Sequence, residues 1–315
     1  MSPNPPIAVL PAHDGQWAEA AATAIVAGGG VVVDSPGDAE ALIWIAGGID
    51  PETTARALTA ELNQYPNLQW IQLPWAGVEQ YAELGMFDHE HRWTCAKGIY
   101  SKPVAEHALT LTLACMRHLK QFGRADHWIG PAGLTLFDGN VTVFGGGGIA
   151  QELIRLLQPF DCHITVVRKR PDPMAGVQVV GWDERDATLT GADAVILALA
   201  LTEETMHFFG QKQFEAMESH ACLVNIARGR HVVTDELVTA LAAGQIGAAG
   251  LDVTDPEPLP EGHPLWSLDQ CLITPHTANT IEMAIPLLTA RITVNVRRWA
   301  AGEPLEGLVD PDLGY

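Results

Sequence analysis

Val141-Thr-Val-Phe-Gly-Gly-Gly-Gly-Ile-Ala150 joins a run of β-favouring residues to a helical stretch at 151–159 through four consecutive glycines. Read as G-x-G-x-x-A, the turn uses Gly145, Gly147 and Ala150, and its place between a strand and a helix is what makes the motif meaningful. Gly145 permits a tight turn, Gly147 lets the backbone approach a pyrophosphate, and the small Ala150 permits close packing of helix on strand. The N–H groups entering the helix, Gly148 and Ile149 among them, stand at the positive end of its dipole, where a phosphate is welcome. A flexible glycine loop would share the composition but not the flanks. The turn predicts a dinucleotide site.

The chain on either side alternates in the same way. Downstream, strands are expected at 163–167, 177–180, 194–199, 222–226, 248–253 and 271–274, with helices between most of them. Upstream, strands are expected at 7–10, 31–33, 41–46, 68–73 and 93–96, with helices at 17–27, 52–63 and about 102–122. Strands alternating with helices predict parallel sheets covered on both faces, hence an α/β fold. A last helix is expected over about 281–300, after a short segment at 275–280. It is placed to pack back on the first domain.

The second strand of a dinucleotide-binding unit should end in a carboxylate that holds the adenosine ribose hydroxyls of NAD. Here 163–167 runs instead into Arg168-Lys169-Arg170. Three adjacent cations suit a 2′-phosphate, because guanidinium forks match phosphate geometry. NADP(H) is therefore expected over NAD(H). The alternative for the cluster is a solvated basic turn.

Composition narrows the classes. Of the 315 residues 47% are hydrophobic and 18% charged, enough apolar material for a large core and too little charge for disorder. A net charge of -20 argues against a nucleic-acid partner. The five cysteines form no C-x-x-C pair and are odd in number, so neither structural zinc nor a disulfide framework is expected. No stretch reads as a signal peptide or a membrane span, and the cytoplasm is the expected location.

Beyond the glycine turn, several motifs in fixed order resemble the D-isomer-specific 2-hydroxyacid dehydrogenase family. They are Trp75-Ala-Gly-Val78, Val104-Ala-Glu-His107, Val224-Asn-Ile-Ala-Arg-Gly229, Leu251-Asp-Val-Thr-Asp-Pro-Glu-Pro258 and Thr274-Pro-His-Thr-Ala278. The run 227–233, the basic cluster and the C-terminal 309–315 segment ending in Tyr315 look most like glyoxylate/hydroxypyruvate reductases of the A type. The resemblance implies two doubly wound parallel-sheet domains. A Rossmann cofactor domain would cover about 102–276. A flavodoxin-like substrate domain would cover 1–101, completed by 277–315, with a cleft between them and a homodimer as the assembly.

The resemblance carries three catalytic residues onto Arg228, Glu257 and His276. Their chemistry fits a 2-keto or 2-hydroxy acid substrate. Reduction needs a hydride at C2 and a proton at the carbonyl oxygen. A histidine titrates near neutrality and can supply the proton. A glutamate can hold the imidazole and favour its charged form. An arginine can bind the substrate carboxylate and polarise the carbonyl. By the same resemblance Leu199, Ala200, Ala227 and Asp252 line the cofactor, with Asp252 facing the nicotinamide carboxamide. The amides of Ala76 and Gly77 receive the substrate carboxylate, and Trp75 is expected either to wall the pocket or to be a plain core residue. Ala200 departs from the proline expected there. Glu106 and His107 are expected to be structural, at the hinge or dimer interface. No metal is expected.

Formate dehydrogenases share the fold but resemble a Gln–His pair where this chain has Glu257 and His276. Phosphoglycerate dehydrogenases often carry a further regulatory domain, for which 315 residues leave no room. From another class, a dinucleotide-sensing, corepressor-like binding protein with little turnover would keep the same residues.

Overall fold

The computed structural model describes residues 3–11, 15–45 and 51–312. Tyr315 and the last residue of the strand expected at 41–46 lie outside that range. The described chain forms two compact units, Met1–Tyr100 with Thr280–Tyr315, and Ser101–Asn279.

The first unit opens with β1 (Pro6–Leu10), α1 (Gln16–Ala27), β2 (Val31–Val32), β3 (Ala41–Trp44) and α2 (Pro51–Gln64). It continues with β4 (Trp70–Gln72), α3 (Glu79–Glu83) and β5 (Arg92–Thr94). All five strands are parallel, in the order β2-β1-β3-β4-β5. The strands are short and apolar because both faces are covered, as in parallel sheets generally. Leu42, Ile71 and Leu73 join Leu58 of α2 in one cluster with Trp93 and Val309.

The second unit holds α4 (Ser101–Met116), α5 (Leu119–Arg124), β6 (Asn140–Phe144), α6 (Gly148–Leu157), β7 (His163–Val167), β8 (Gln178–Val180) and β9 (Ala194–Leu197). It goes on through α7 (Gln211–Ala216), β10 (Cys222–Asn225), α8 (Thr234–Ala242), β11 (Ala248–Leu251), α9 (Pro264–Ser267) and β12 (Cys271–Ile273). Seven parallel strands run β12-β11-β10-β9-β6-β7-β8. The order reverses at β6, between β9 and β7, and ligands in such sheets bind beyond the strand ends at that switch point. The α/β fold of two parallel sheets is as expected from the alternation.

α10 (Ile281–Ala301) then returns to the first unit. Its fully buried Asn295 explains how a polar residue survives in a core. The amide donates to Gln72 Oε1 (3.1 Å) and to the Glu306 carbonyl (3.0 Å), and accepts from the Glu306 N–H (2.8 Å).

Most strands end within three residues of expectation, and two helices differ in an informative way. The single helix expected over 102–122 is broken into α4 and α5 by His118, whose φ is 50°. No glycine or proline marks the break, so the apolar periodicity runs straight through it. The helix expected at 151–159 begins at Gly148 and its α-helical part ends at Leu157. Glycine's poor helix propensity hides the first turn from a sequence reading.

Candidate active site

The glycine turn leaves β6 with Gly145 at φ 106°, its N–H donating to the Val167 carbonyl (2.8 Å). A Cβ at Gly145 would collide with the Ala198 carbonyl oxygen, so the β6 and β9 ends can approach this closely only around glycine. A Cβ on Gly147 would meet nothing within 4 Å. Gly147 is the N-cap of α6 and makes no side-chain cap, so the first helical amides, Gly148 and Ile149, receive no capping side chain from it. Ala150 is fully buried in the core under the turn. This is a cradle that fits the pyrophosphate of a dinucleotide.

The three cations are not equivalent. The Arg168 side chain lies over the turn, where a Cβ on Gly146 would stand 3.1 Å from Arg168 Cδ and Nε. Lys169 pairs with Glu204 at 3.0 Å, and Arg170 is exposed. Leu199 and Ala200 follow β9; Leu199 is half-buried and Ala200 exposed.

Arg228, Glu257 and His276 all belong to the second unit and all follow sheet strands: β10, β11 and β12. His276 Nδ1 lies 2.7 Å from Glu257 Oε1. This bond fixes a proton on Nδ1 and leaves Nε2 for proton exchange. The bond to the Glu257 carboxylate raises the pKa of His276 against the opposing pull of partial burial, with the Glu257 and Asp252 charges adding and the Arg228 charge subtracting. The His276 backbone is left-handed (φ 50°), held by its N–H donating to the carbonyls of Asp252 (2.8 Å) and Thr274 (3.0 Å).

The Arg228 turn is braced by Asn225, which is 1% exposed. Its amide donates to the Arg228 carbonyl (2.8 Å) and accepts from the N–H of Ala227 (3.0 Å), itself buried. Arg228 Nη1 donates to the Ala227 carbonyl at 2.7 Å. A Cβ on Gly229 would overlap the Thr254 carbonyl, so glycine is what lets the arginine turn meet the segment leading to Glu257.

Asp252 follows β11. Its side chain is 1% exposed. Oδ1 accepts from Thr274 Oγ1 (2.7 Å) and Thr277 N–H (2.8 Å), and Oδ2 from Ala278 N–H (3.0 Å). His107 Nε2 lies 3.3 Å from the same carboxylate and 2.9 Å from Thr274 Oγ1. Burial alone would raise the Asp252 pKa, but these donations together bring it below the ordinary carboxylate value. The carboxylate thus organises the 274–278 segment that carries His276. His107, expected to be structural, belongs to this network. Its role was invisible in sequence because its partners lie well over a hundred residues away.

In the first unit, Trp75 follows β4 and stacks edge-on against Trp17 at 5.8 Å between centroids. The Trp75 carbonyl accepts from Ala96 N–H (3.0 Å). Ala76 is exposed and Gly77 half-buried.

A glycine cradle at a switch point, with a carboxylate–imidazole pair and an arginine on neighbouring strand ends, defines a nicotinamide-dependent oxidoreductase. Residues 109–278 match the family described as D-isomer specific 2-hydroxyacid dehydrogenase, NAD binding domain. A glyoxylate/hydroxypyruvate reductase A of Serratia proteamaculans is 36% identical over 179 residues, 56% of this chain and 56% of its own length. A mouse glyoxylate reductase/hydroxypyruvate reductase is 34% identical over 234 residues, 69% of this chain and 71% of its own. A D-isomer specific 2-hydroxyacid dehydrogenase of Xanthobacter autotrophicus, solved with NADPH and MES, superposes with TM-score 0.81 at 26% identity, covering 99% of this chain and all of its own. The chain belongs to the D-isomer specific 2-hydroxyacid dehydrogenase family. Among the described residues, no group of three or more His, Cys, Asp or Glu side chains is placed to hold a metal, and no helix is long and apolar enough to cross a membrane.

Proposed function

We propose that this protein reduces a small 2-keto acid, glyoxylate or hydroxypyruvate, with NADPH favoured over NADH. The observation that carries the reading is the 2.7 Å His276–Glu257 pair in the same unit as the glycine cradle. The nicotinamide, when bound, supplies the hydride. Arg228 binds the substrate carboxylate and steadies the negative charge growing on the carbonyl oxygen. His276, kept protonated by Glu257, delivers its Nε2 proton to that oxygen; in the reverse direction the neutral ring takes the proton back. Ala76 and Gly77 offer backbone amides to the carboxylate, and Trp75 limits substrate size.

A panel of 2-keto acids with NADPH and NADH tests the reading. Turnover of glyoxylate or hydroxypyruvate is the expected result. Tight coenzyme binding with negligible turnover of every acid would favour the dinucleotide sensor. The coenzyme preference rests on Arg168 lying over the glycine turn, with Lys169 and Arg170 beside it. Arg168→Asp is expected to weaken NADPH by about ten- to a hundred-fold in kcat/KM while sparing NADH, the loss of a charge-assisted phosphate contact. An unchanged ratio of the two coenzymes would defeat the phosphate clamp.

The working form is proposed to be a cytoplasmic homodimer. Trp128, 98% exposed, and the exposed Leu134 and Phe137 in the connection between α5 and β6 support it, because apolar side chains gathered on one loop favour a second copy. Light scattering should give twice the chain mass, and Trp128→Ser should shift the population toward monomer.

A further inference from the structure

His231 ends the short 3-10 turn Gly229–His231 that follows Arg228, and it is fully buried. Its Nδ1 lies 2.9 Å from the Thr205 carbonyl oxygen and its Nε2 3.2 Å from the Leu199 carbonyl oxygen. Carbonyl oxygens only accept, so each contact needs an N–H on the ring. A neutral ring has one N–H and can serve either carbonyl, and it lies between the two. The Phe208 ring packs edge-on against it at 5.9 Å.

The two carbonyls sit near the two ends of one loop, the segment after β9. Inside that span the loop closes on itself. Thr205 Oγ1 donates to the Ala200 carbonyl (2.9 Å) and accepts from Thr202 N–H (2.8 Å), and Met206 N–H donates to the Thr202 carbonyl (2.9 Å). The start of the loop lies against the glycine turn, since a Cβ on Gly145 would stand 3.1 Å from Leu199 Cα. Near its far end, Glu204 pairs with Lys169 of the basic cluster. One edge of the cradle is therefore this loop, and the side chain that fastens both of its ends comes from the arginine turn on the next strand.

We propose that His231 is a positioning residue for dinucleotide binding, its buried ring holding the 199–205 loop against the glycine turn from between the Leu199 and Thr205 carbonyls. The proposal rests on the reading of the cradle as a dinucleotide site. It assigns His231 no contact with substrate or reacting atoms. Loss of the ring lets the loop populate conformations that do not border the cradle, and apparent coenzyme affinity falls with the fraction that remains competent.

The test compares wild type, His231→Gln and His231→Leu. Hydrogen exchange is followed in the coenzyme-free protein, and NADPH and NADH dissociation constants are measured by calorimetry. In His231→Leu, exchange of the 200–206 amides is expected to rise about ten-fold, the equivalent of a lost buried hydrogen bond, with exchange in β6 and β10 unchanged. Both coenzymes should weaken by about five-fold or more. The keto-acid KM at saturating coenzyme should move less than the coenzyme KM. His231→Gln keeps a side-chain N–H donor and should fall between; if the leucine variant does not fold, the glutamine variant must show the same pattern at smaller size. Unchanged loop exchange and coenzyme affinity in a folded variant overturn the proposal. So does exchange raised evenly across the whole unit, which would make His231 a core-packing residue only. Hydrogen exchange and calorimetry need no turnover. Failure to reduce any keto acid would therefore count against the reductase reading alone, and a wild-type chain that binds neither coenzyme would sink the reading of the cradle.

Discussion

His276→Ala is expected to lower kcat for keto-acid reduction about 10²- to 10⁴-fold, the usual weight of a positioned general acid, while coenzyme dissociation constants stay near wild type. The reason is geometric. The ring follows β12, its Nδ1 is committed to Glu257 at 2.7 Å, and Nε2 is the nitrogen left to exchange a proton. Steady-state rates and coenzyme titration on one preparation make the comparison, and reductase activity within a few-fold of wild type would rule the proton-transfer role out.

The partner variant Glu257→Gln separates protonation from position. Glu257 raises the His276 pKa, so the wild-type ring stays charged to higher pH than an ordinary imidazole. Reduction consumes the charged ring. The alkaline limb of the reduction profile should therefore move to lower pH when the carboxylate becomes an amide. Oxidation consumes the neutral ring, and its acid limb should move the same way. Limbs that stay in place would show that the carboxylate does not set the proton affinity.

The second large effect is expected at Asp252. Asp252→Ala removes the acceptor of Thr274 Oγ1 and of the Thr277 and Ala278 amides, beside His107, in a place with almost no solvent. Leaving such a group of donors buried without a partner costs on the order of 3–5 kcal/mol. A melting temperature lower by roughly 10 °C is expected for a unit of this size. Activity should fall too, because His276 rides on the segment these bonds shape. The pH dependence has a definite sign. The folded-state pKa of Asp252 is depressed, so its stabilisation is present above the unfolded value of about 3.9 and is lost as pH falls through the folded value. Thermal melts between neutral and acid pH should show wild type losing more than Asp252→Asn on the acid side. A folded alanine variant melting within 2 °C of wild type would refute the scaffold role.

Much of the architecture could be read from local pattern. Apolar runs such as 194–197 and 222–225 announce strands buried on both faces, and Gly145 to Ala150 announces a turn that neighbouring residues alone define. The Arg228, Glu257 and His276 motifs were legible for the same reason, since each is a short string at a strand end. The helix break at His118 was not, because no residue type there prefers a left-handed backbone strongly enough to interrupt the periodicity.

What the linear order could not reveal is which distant groups share a buried space. His107 meets Thr274 from 167 residues away. Gly229 has to be glycine because of the Thr254 carbonyl, and His231 finds its two acceptors in a loop that precedes it by 26 and 32 residues. Periodicity and propensity report only on neighbours along the chain. The choice of hydrogen-bond partner for a desolvated polar group is made by packing, once sheet order has brought the strand ends side by side. The residue types and the switch-point turn were therefore written in the chain. The proton affinity of His276, the burial of Asp252 and the fastening of the 199–205 loop arose only when β9, β10, β11 and β12 were laid next to one another.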